Sequence, residues 1–285
     1  MSQPARAHVD LHMHSTASDG AVPPAGVVAA AHAAGLAAIA LTDHDTLAGM
    51  PEARAAGERL GVRVIAGVEL SAADESGAET HILGLLIARP EPLQHALDIY
   101  RIARRARAFA IVERLNALGV ALTGDAVLAQ AGDAAIGRPH VARALVAGGF
   151  ARDHHEVFDR WLGAGRPAFV EKRRLGIAEA CALIHDAGGL AVYAHPGAGG
   201  TRQRVAALAA YGMDGLEIRH PGHHPSDSAR LAALADELDL VPSGGSDWHG
   251  AVDGSRTIGC MAVPAEWLNR LDARVRGRVA SEVLA

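Results

Sequence analysis

Histidines and carboxylates recur in this chain where apolar runs meet loops. His12 and His14 close the run HVDLHMH, Asp19 follows in SDG, His44 lies in LTDHD and Glu69 in GVEL. His81 opens HILGLLI, His195 follows GLAVYA, and Asp247 and His249 lie in GSDWH. Residues two apart on an extended strand point to the same side, so His12 and His14 can reach one ion, as can Asp247 and His249. Imidazole and carboxylate donors bind divalent transition metals, and six histidines with three carboxylates are too many for a single ion. In a closed parallel barrel the strand ends converge on one face, where active sites sit. The pattern predicts a polynuclear hydrolytic metal centre there.

Each residue also has a plainer reading. His44 fits an ordinary loop histidine, and Asp43 and Asp45 fit caps or partners that support it. Glu69 is expected at the end of an apolar strand, either exposed or buried as a carboxylate bridging two ions, because burial without a partner is costly. His81 fits a satisfied core histidine equally well, whereas the strand before His195 aims that residue at the common face. Gly244 and Gly245 permit close backbone approach just ahead of Asp247.

With 285 residues the chain can bury a sizeable core and lies within the range of one α/β barrel. Aromatic residues make up only 4%, which suits short helices packed on a sheet better than a β sandwich. A net charge of −5 argues against broad electrostatic binding of nucleic acid but leaves room for a local basic groove. Cys181 and Cys260, outside any CxxC pattern, are expected to be reduced thiols of a cytoplasmic protein. The polar start MSQPARA, with candidate ligands soon after it, speaks against a cleaved secretory leader. The longest apolar stretch, 27–41, contains His32 and Gly35 and is too short for a bilayer, so no membrane association is expected.

Nearly continuous apolar runs predict buried strands at 8–12, 36–42, 62–70 and 80–87. Helices are expected at 23–35 and 46–60, the second with Thr46 as N-cap and Gly61 as its stop. Later, helices at about 176–187, from 201 and at 226–238 alternate with strands at 189–194, 213–219 and 240–243, giving seven strands in all. Residues 91–170 break the rhythm with DIYRIARRARAFAIVERLNALG and a Gly-rich, mostly helical segment. The expected organisation is a barrel of residues 1–90 and 171–285, with 91–170 a helical insertion capping its mouth.

In order and spacing, HxH, SDG, TDHD, GVE, HILG, AHP and SDxH resemble the polymerase and histidinol phosphatase (PHP) superfamily of metallophosphoesterases over nearly the full chain. The resemblance implies an α/β fold, a distorted seven-stranded TIM-like (β/α)7 barrel with a trinuclear centre. It assigns one ion to His12, His14, Glu69 and Asp247, a second to Glu69, His81 and His195, and a third to Asp19, His44 and His249. Manganese is the implied metal, and the mixed donors also suit zinc or iron. A metal-bridging hydroxide held by Glu69 and Asp247 would be the nucleophile, so that no Ser, Cys or Asp attacks. Three divalent ions exceed the charge of three carboxylates and that hydroxide, leaving a positive centre suited to a phosphomonoester dianion. Length, insertion and HILGLL look most like bacterial enzymes that remove the 3′-phosphate of nucleoside 3′,5′-bisphosphates or trim RNA from its 5′ end.

Arg101, Arg104 and Arg105 share one helix face, the usual mark of a solvated surface. The resemblance instead aligns them, with Arg138 and His140 of GRPH, with a segment that grips a second substrate phosphate, a task suited to bidentate guanidinium groups. Lys172, Arg173 and Arg174 form another basic cluster. His220 and His223 fit either loop histidines or groups that position substrate or protonate its leaving oxygen, His223 being a candidate phosphate contact. His32, His95 and His185, on expected helices, read as structural or surface residues. The expected partner is a small nucleotide or short RNA 5′ end, with no obligate protein partner. Competing readings are an L-histidinol-phosphate phosphatase, which would want carboxylates rather than arginines around its substrate, a polymerase-associated module, and an amidohydrolase.

Overall fold

Hydrogen-bond register brings the chemistry-bearing strands side by side. The computed structural model describes residues 7–74, 77–131, 136–171, 174–252 and 254–284, so Lys172 and Arg173 lie outside the described residues. The chain divides into two units, Met1–His95 with Leu175–Ala285, and Ala96–Arg174.

The first unit is an α/β fold around a nearly closed, barrel-like sheet. Its main strands are β1 (His8–Met13), β2 (Ala38–Leu41), β3 (Arg63–Ala73), β4 (Glu79–Leu85), β6 (Leu190–Tyr193), β7 (Gly215–Arg219) and β8 (Val241–Gly244). They pair in that order. The chain after β8 then meets β1 again, where Asp247 N–H donates to His12 O and His14 N–H to Trp248 O, both at 2.9 Å. Between them run α1 (Pro24–Ala33), α2 (Met50–Leu60), α7 (Ile177–Asp186), α8 (Arg202–Ala210) and α9 (Pro225–Glu237). No helix among the described residues is long and apolar enough to cross a membrane.

One apolar cluster is shared by Val9 and Leu11, Ala38 and Ala40, Ile65, Leu83 and Leu85, Leu190 and Val192, and Val241. A bulge between Asp10 and Met13 adds one residue to β1 relative to β2. Such an insertion shifts side-chain parity, which puts His12 and His14 into the interior that Val9 and Leu11 fill further down.

The structure departs from the expectations in four places. The sheet has nine strands among the described residues, not seven, because β5 (Leu175–Gly176) pairs with β3 and β9 (Val263–Pro264) with β1. Two-residue strands carry no periodic signal. Strand β4 runs antiparallel to both neighbours, since the five residues linking it to β3 are too few for a crossover. This reversal explains how His81, at the start of its strand, reaches the face where the other strands end. Helix α2 begins at Met50, with Pro51 in its first turn, while Thr46 instead accepts the Ala48 N–H at 3.1 Å. A final helix, α10 (Ala265–Leu284), was not anticipated, and it packs Leu268 and Leu271 into the barrel cluster beside β9.

The second unit is helical. It contains the later part of α3 (Pro90–Ala117), then α4 (Gly124–Ala131), α5 (Arg138–Ala147), α6 (His154–Val157) and a π-helical turn at Phe158–Leu162. Its core joins Ile111 and Leu115 of α3, Val141 and Leu145 of α5, and Trp161 and Leu162.

Gly245 is where fold and site are most tightly linked. A Cβ there would lie 2.4 Å from His12 Cβ and 2.5 Å from His12 N. Gly245→Ala is therefore expected to push β1 away from the β8 end, destabilising the protein by about 1–3 kcal/mol. Denaturant unfolding checks this, and an unchanged midpoint would contradict it.

Candidate metal centre

Glu69 sits at the middle of the site and in the middle of its strand, not at a strand end as expected, because β3 continues to Ala73 as one arm of the β3–β4 hairpin. It is 1% exposed. Its Oε2 lies 3.1 Å from His12 Nε2, 3.2 Å from His14 Nε2 and 3.4 Å from His44 Nδ1. Its Oε1 lies 2.8 Å from His81 Nδ1 and 2.9 Å from His195 Nε2.

Asp247 Oδ1 approaches His14 Nε2 at 3.2 Å and His12 Nε2 at 3.5 Å. Asp19 is 3.3 Å from His249 and 3.7 Å from both His14 and His44. All nine residues singled out by the sequence thus lie in one connected cluster. Within it, donor atoms of His12, His14, Glu69 and Asp247, of His44, Glu69 and His81, and of His14, Asp19, His44 and His249 each gather within 4.8 Å. His195 joins through Glu69 and through His81, whose Nδ1 is 3.3 Å from its Nε2.

This donor set fits metal ions. The Nε2 atoms of His12 and His14 face each other at 3.1 Å, where neutral lone pairs would repel unless a cation lay among them. The buried Nδ1 atoms of His14 and His44 have no hydrogen-bond partner. The cluster of imidazole and carboxylate groups is able to hold divalent metal ions.

Without metal, protons supply the missing positive charge. Burial works against a proton on His12, yet Glu217 and Glu69 raise its pKa well above the ordinary value. Burial would also raise the Glu69 carboxyl, but His12 and hydrogen bonds from His12, His14 and His195 hold it far below the usual range. Asp247 is lowered in the same way by His14, His220 and His12.

Supporting residues hold the cluster in place. Asp43 accepts hydrogen bonds from Ser15 N–H at 2.7 Å and from the Ser15 and Ser18 hydroxyls at 2.8 Å, fixing the loop that carries Asp19. Asp45 accepts the Ser71 N–H at 3.1 Å. Non-glycine residues His195, Asp247 and Asp45 adopt left-handed backbone, with φ of 31°, 51° and 52°, a conformation whose cost is tolerated mainly at functional sites.

The sequence reading missed several of these partners. Asp10 accepts the Ser246 and Gly259 N–H groups at 2.9 Å, fastening the Asp247 loop to β1. Buried Glu217 accepts from His12 Nδ1 at 3.0 Å, and Glu79 from His81 Nε2 at 3.3 Å. Arg256 ion-pairs with Asp247 Oδ2. The high cost of a charge inside an apolar strand, the argument applied to Glu69, also flags Glu217 in GLEIRH. Arg256, in a loop, gives no such signal.

His220 donates from Nε2 to Asp247 Oδ2 at 3.3 Å, and its Nδ1 accepts from Gly222 N–H at 3.0 Å. Both ring nitrogens of His223 are engaged by backbone: Nδ1 donates to Ile218 O at 3.0 Å and Nε2 accepts from Gly197 N–H at 3.1 Å.

In the helical unit, Arg101 pairs with Asp98 at 3.0 Å on the surface, and Arg105 lies over Phe109. Arg138 rests over the rings of Phe158 and Phe169, and His140 caps α5 by accepting the Gly137 N–H. Arg107, which the sequence reading passed over, has its pKa lowered to about 10 by burial and then by the neighbouring charges of Arg138, Arg104 and Arg174, with Glu171 opposing.

A model of the PHP domain matches residues 10–167, more than half of the chain, and the chain belongs to this family. It is 39% identical over 246 residues to the 5′-3′ exoribonuclease of Haemophilus influenzae, covering 84% of this chain and 89% of the relative. It is 38% identical over 261 residues to the 3′,5′-nucleoside bisphosphate phosphatase of Chromobacterium violaceum, covering 89% and 91%. A structure from Bifidobacterium adolescentis, described as a metal-dependent phosphoesterase, superposes with a TM-score of 0.74 at 33% identity, covering 96% of this chain and 98% of that one. The chain is a phosphoesterase hydrolase of the metal-dependent kind.

The proton-filled cluster has a pH signature. Burial disfavours a charged His81, but Glu69 and Glu79 outweigh it and push its pKa up to about 9. A raised histidine contributes stability in full below its unfolded value, about 6.5, and loses that contribution as pH rises through about 9. Asp19 is the reverse: burial would raise it, but His249, His44 and His14 bring it to about 2, so its contribution is lost only as pH falls toward that value. Metal-free protein is therefore expected to lose thermal stability from about pH 6.5 to 9, with the loss reduced in His81→Asn. Metal must displace the same proton and should bind more tightly across that window. Melting curves and metal titrations over pH check both, and a flat profile would contradict them.

Proposed function

We propose that this chain is a trinuclear metal-dependent phosphoesterase that removes the 3′-phosphate from nucleoside 3′,5′-bisphosphates and releases nucleotides from the 5′ end of short 5′-phosphorylated RNA. The observation that carries the reading is the convergence of six imidazoles and three carboxylates on one cluster, in a chain whose relatives bear both activities as names. His12, His14, Glu69 and Asp247 would hold one ion, Glu69, His81 and His195 a second, and Asp19, His44 and His249 a third. Divalent ions there supply Lewis acidity toward phosphoryl oxygen and an activated water at neutral pH.

The chain's own groups set the conditions for that chemistry. Glu69 and Asp247 remain charged, and both oxygens of Glu69 with Oδ1 of Asp247 point into the cluster. His220, whose Nδ1 accepts a backbone N–H, keeps its proton on Nε2 and steadies Asp247. Arg256, half exposed beside Asp247, offers its other N–H groups to a phosphoryl oxygen.

Recognition of the uncleaved phosphate is assigned to the helical unit. Arg104, Arg138 and Arg174 lie near enough to Arg107 to help lower its pKa, with Glu171 opposing, and a phosphate there would be met by several guanidinium groups. Arg101, paired with Asp98, would have to exchange that partner to take part. His223 would likewise have to give up a backbone bond before contacting a phosphate.

Phosphate release with manganese is expected from a nucleoside 3′,5′-bisphosphate, and nucleotide release from 5′-phosphorylated RNA, with 5′-hydroxyl RNA a poor substrate. Preference for histidinol phosphate, or equal cleavage of the two RNAs, would overturn the substrate assignment. Full activity after exhaustive chelation would overturn the metal mechanism. Glu69→Gln and Asp247→Asn should abolish turnover.

Arg104→Ala or Arg138→Ala should raise KM for the bisphosphate far more than for an aryl phosphate. Losing one charge-assisted contact removes roughly 1.5–3 kcal/mol, about 10- to 150-fold. Equal losses on both substrates would assign these arginines to the fold instead.

A further inference from the structure

Glu217 is a carboxylate outside the three donor groups that nevertheless touches two of the candidate ligands. It sits in the middle of β7, fully buried. Its Oε1 accepts from His12 Nδ1 at 3.0 Å and its Oε2 from the His195 backbone N–H at 2.6 Å. Asp214, just ahead of the same strand, is bound by Arg278, by His185 and by the Ala191 N–H, the partners of a carboxylate that fastens a fold. Among the described residues, no arginine pairs with Glu217. Its register partner on β8, Ser243, leaves its own hydroxyl without a hydrogen bond. A buried carboxylate is costly unless its partners repay it, and both partners of Glu217 belong to the metal-donor cluster.

We propose that Glu217 is a positioning residue for metal uptake, fixing the tautomer of His12 through one oxygen and the backbone of His195 through the other. The inference rests on the metal-centre reading above. A His12 that donates from Nδ1 to a carboxylate presents a lone pair on Nε2 once a metal ion has displaced the other proton, and that nitrogen lies 3.1 Å from both His14 Nε2 and Glu69 Oε2. The opposite tautomer would set a nitrogen lone pair against a carboxylate oxygen and leave an N–H in the centre of the donors. The second oxygen acts on a different strand end. His195 has a φ of 31°, and the short bond to its N–H holds that unfavourable backbone where the ring meets Glu69 and His81. One side chain thereby sets two donors contributed by β1 and by the loop after β6. Partners of this kind orient metal-binding histidines generally, and losing one weakens metal binding about 10- to 100-fold.

Glu217→Gln separates this role from simple packing. The amide keeps the size of the carboxylate, but its one oxygen can accept from only one of the two N–H groups, and its NH2 must face the other. Full-length protein stripped with chelator would be titrated with Mn2+ by calorimetry, and its melting temperature measured without metal. The expected result is a folded variant whose tightest Mn2+ affinity is weaker by about 10- to 100-fold, with part of the wild-type turnover regained at high Mn2+. A folded Glu217→Gln protein that binds Mn2+ as tightly as wild type overturns the inference alone. A wild-type chain that takes up no metal overturns the metal-centre reading and the inference with it.

If the variant does not fold, nitrogen NMR of histidine-labelled wild-type protein decides. Metal-loaded His12 protonated on Nδ1 and coordinating through Nε2 supports the proposal, and coordination through Nδ1 overturns it.

Discussion

Five imidazole rings crowd around the one carboxylate of Glu69, all within 3.4 Å of its oxygens. That arrangement cannot be stable by itself. If every ring were protonated, the positive charges would repel, and if every ring were neutral, lone pairs would face lone pairs and a buried carboxylate. Only cations shared among the groups reconcile them, whether protons in the metal-free chain or divalent ions when it is loaded. Metal affinity and the pH dependence of stability are thus two readings of one electrostatic constraint.

The sheet meets this constraint at a local cost. Bringing His12 and His14 to the interior takes a bulge in β1, bringing His81 to the same face takes a reversed strand, and His195 and Asp247 sit in unfavourable backbone. The left-handed residues among these carry a conformational cost. Offsetting stability comes from the other part of the barrel interior, where Val9, Leu11, Leu85, Leu190 and Val241 pack with Leu268 and Leu271 of α10. The unanticipated helix therefore serves the site indirectly, because a dry, well-packed part of the interior offsets a strained, polar one.

The legibility of the sequence follows the same division. Metal-binding chemistry admits few residue types, and the chain sets them where apolar runs meet loops, so His12, His14, His44, His195, Asp247 and His249 stand out as candidates together rather than singly. Main strands and most helices follow from periodicity. What stayed hidden depends on register. The mid-strand position of Glu69 reflects a hairpin whose extra pairs carry no special composition, and the strands at Leu175–Gly176 and Val263–Pro264 are defined only by their partners. Arg101 shares a helix face with Arg104, yet spacing could not reveal that Asp98 engages it. Glu217 was within reach, since the same cost of burial that marked Glu69 applies to it, but no recognisable ligand pattern surrounds it.

Two opposite imbalances are folded into a chain whose net charge of −5 shows neither. The barrel gathers Asp19, Glu69, Glu217 and Asp247 among neutral or proton-sharing rings and is short of positive charge. The helical unit gathers Arg104, Arg107, Arg138 and Arg174, whose like charges add to burial in lowering the pKa of Arg107 to about 10, and it favours negative charge there. Divalent ions answer the first and turn an acidic cluster into one that attracts phosphate. An anion answers the second. Phosphate is drawn to the metal-loaded cluster, and a cationic amine on the same substrate would aggravate the second imbalance, whereas a second phosphate would relieve it; the proposed substrate class is therefore a bisphosphorylated nucleoside or a 5′-phosphorylated strand.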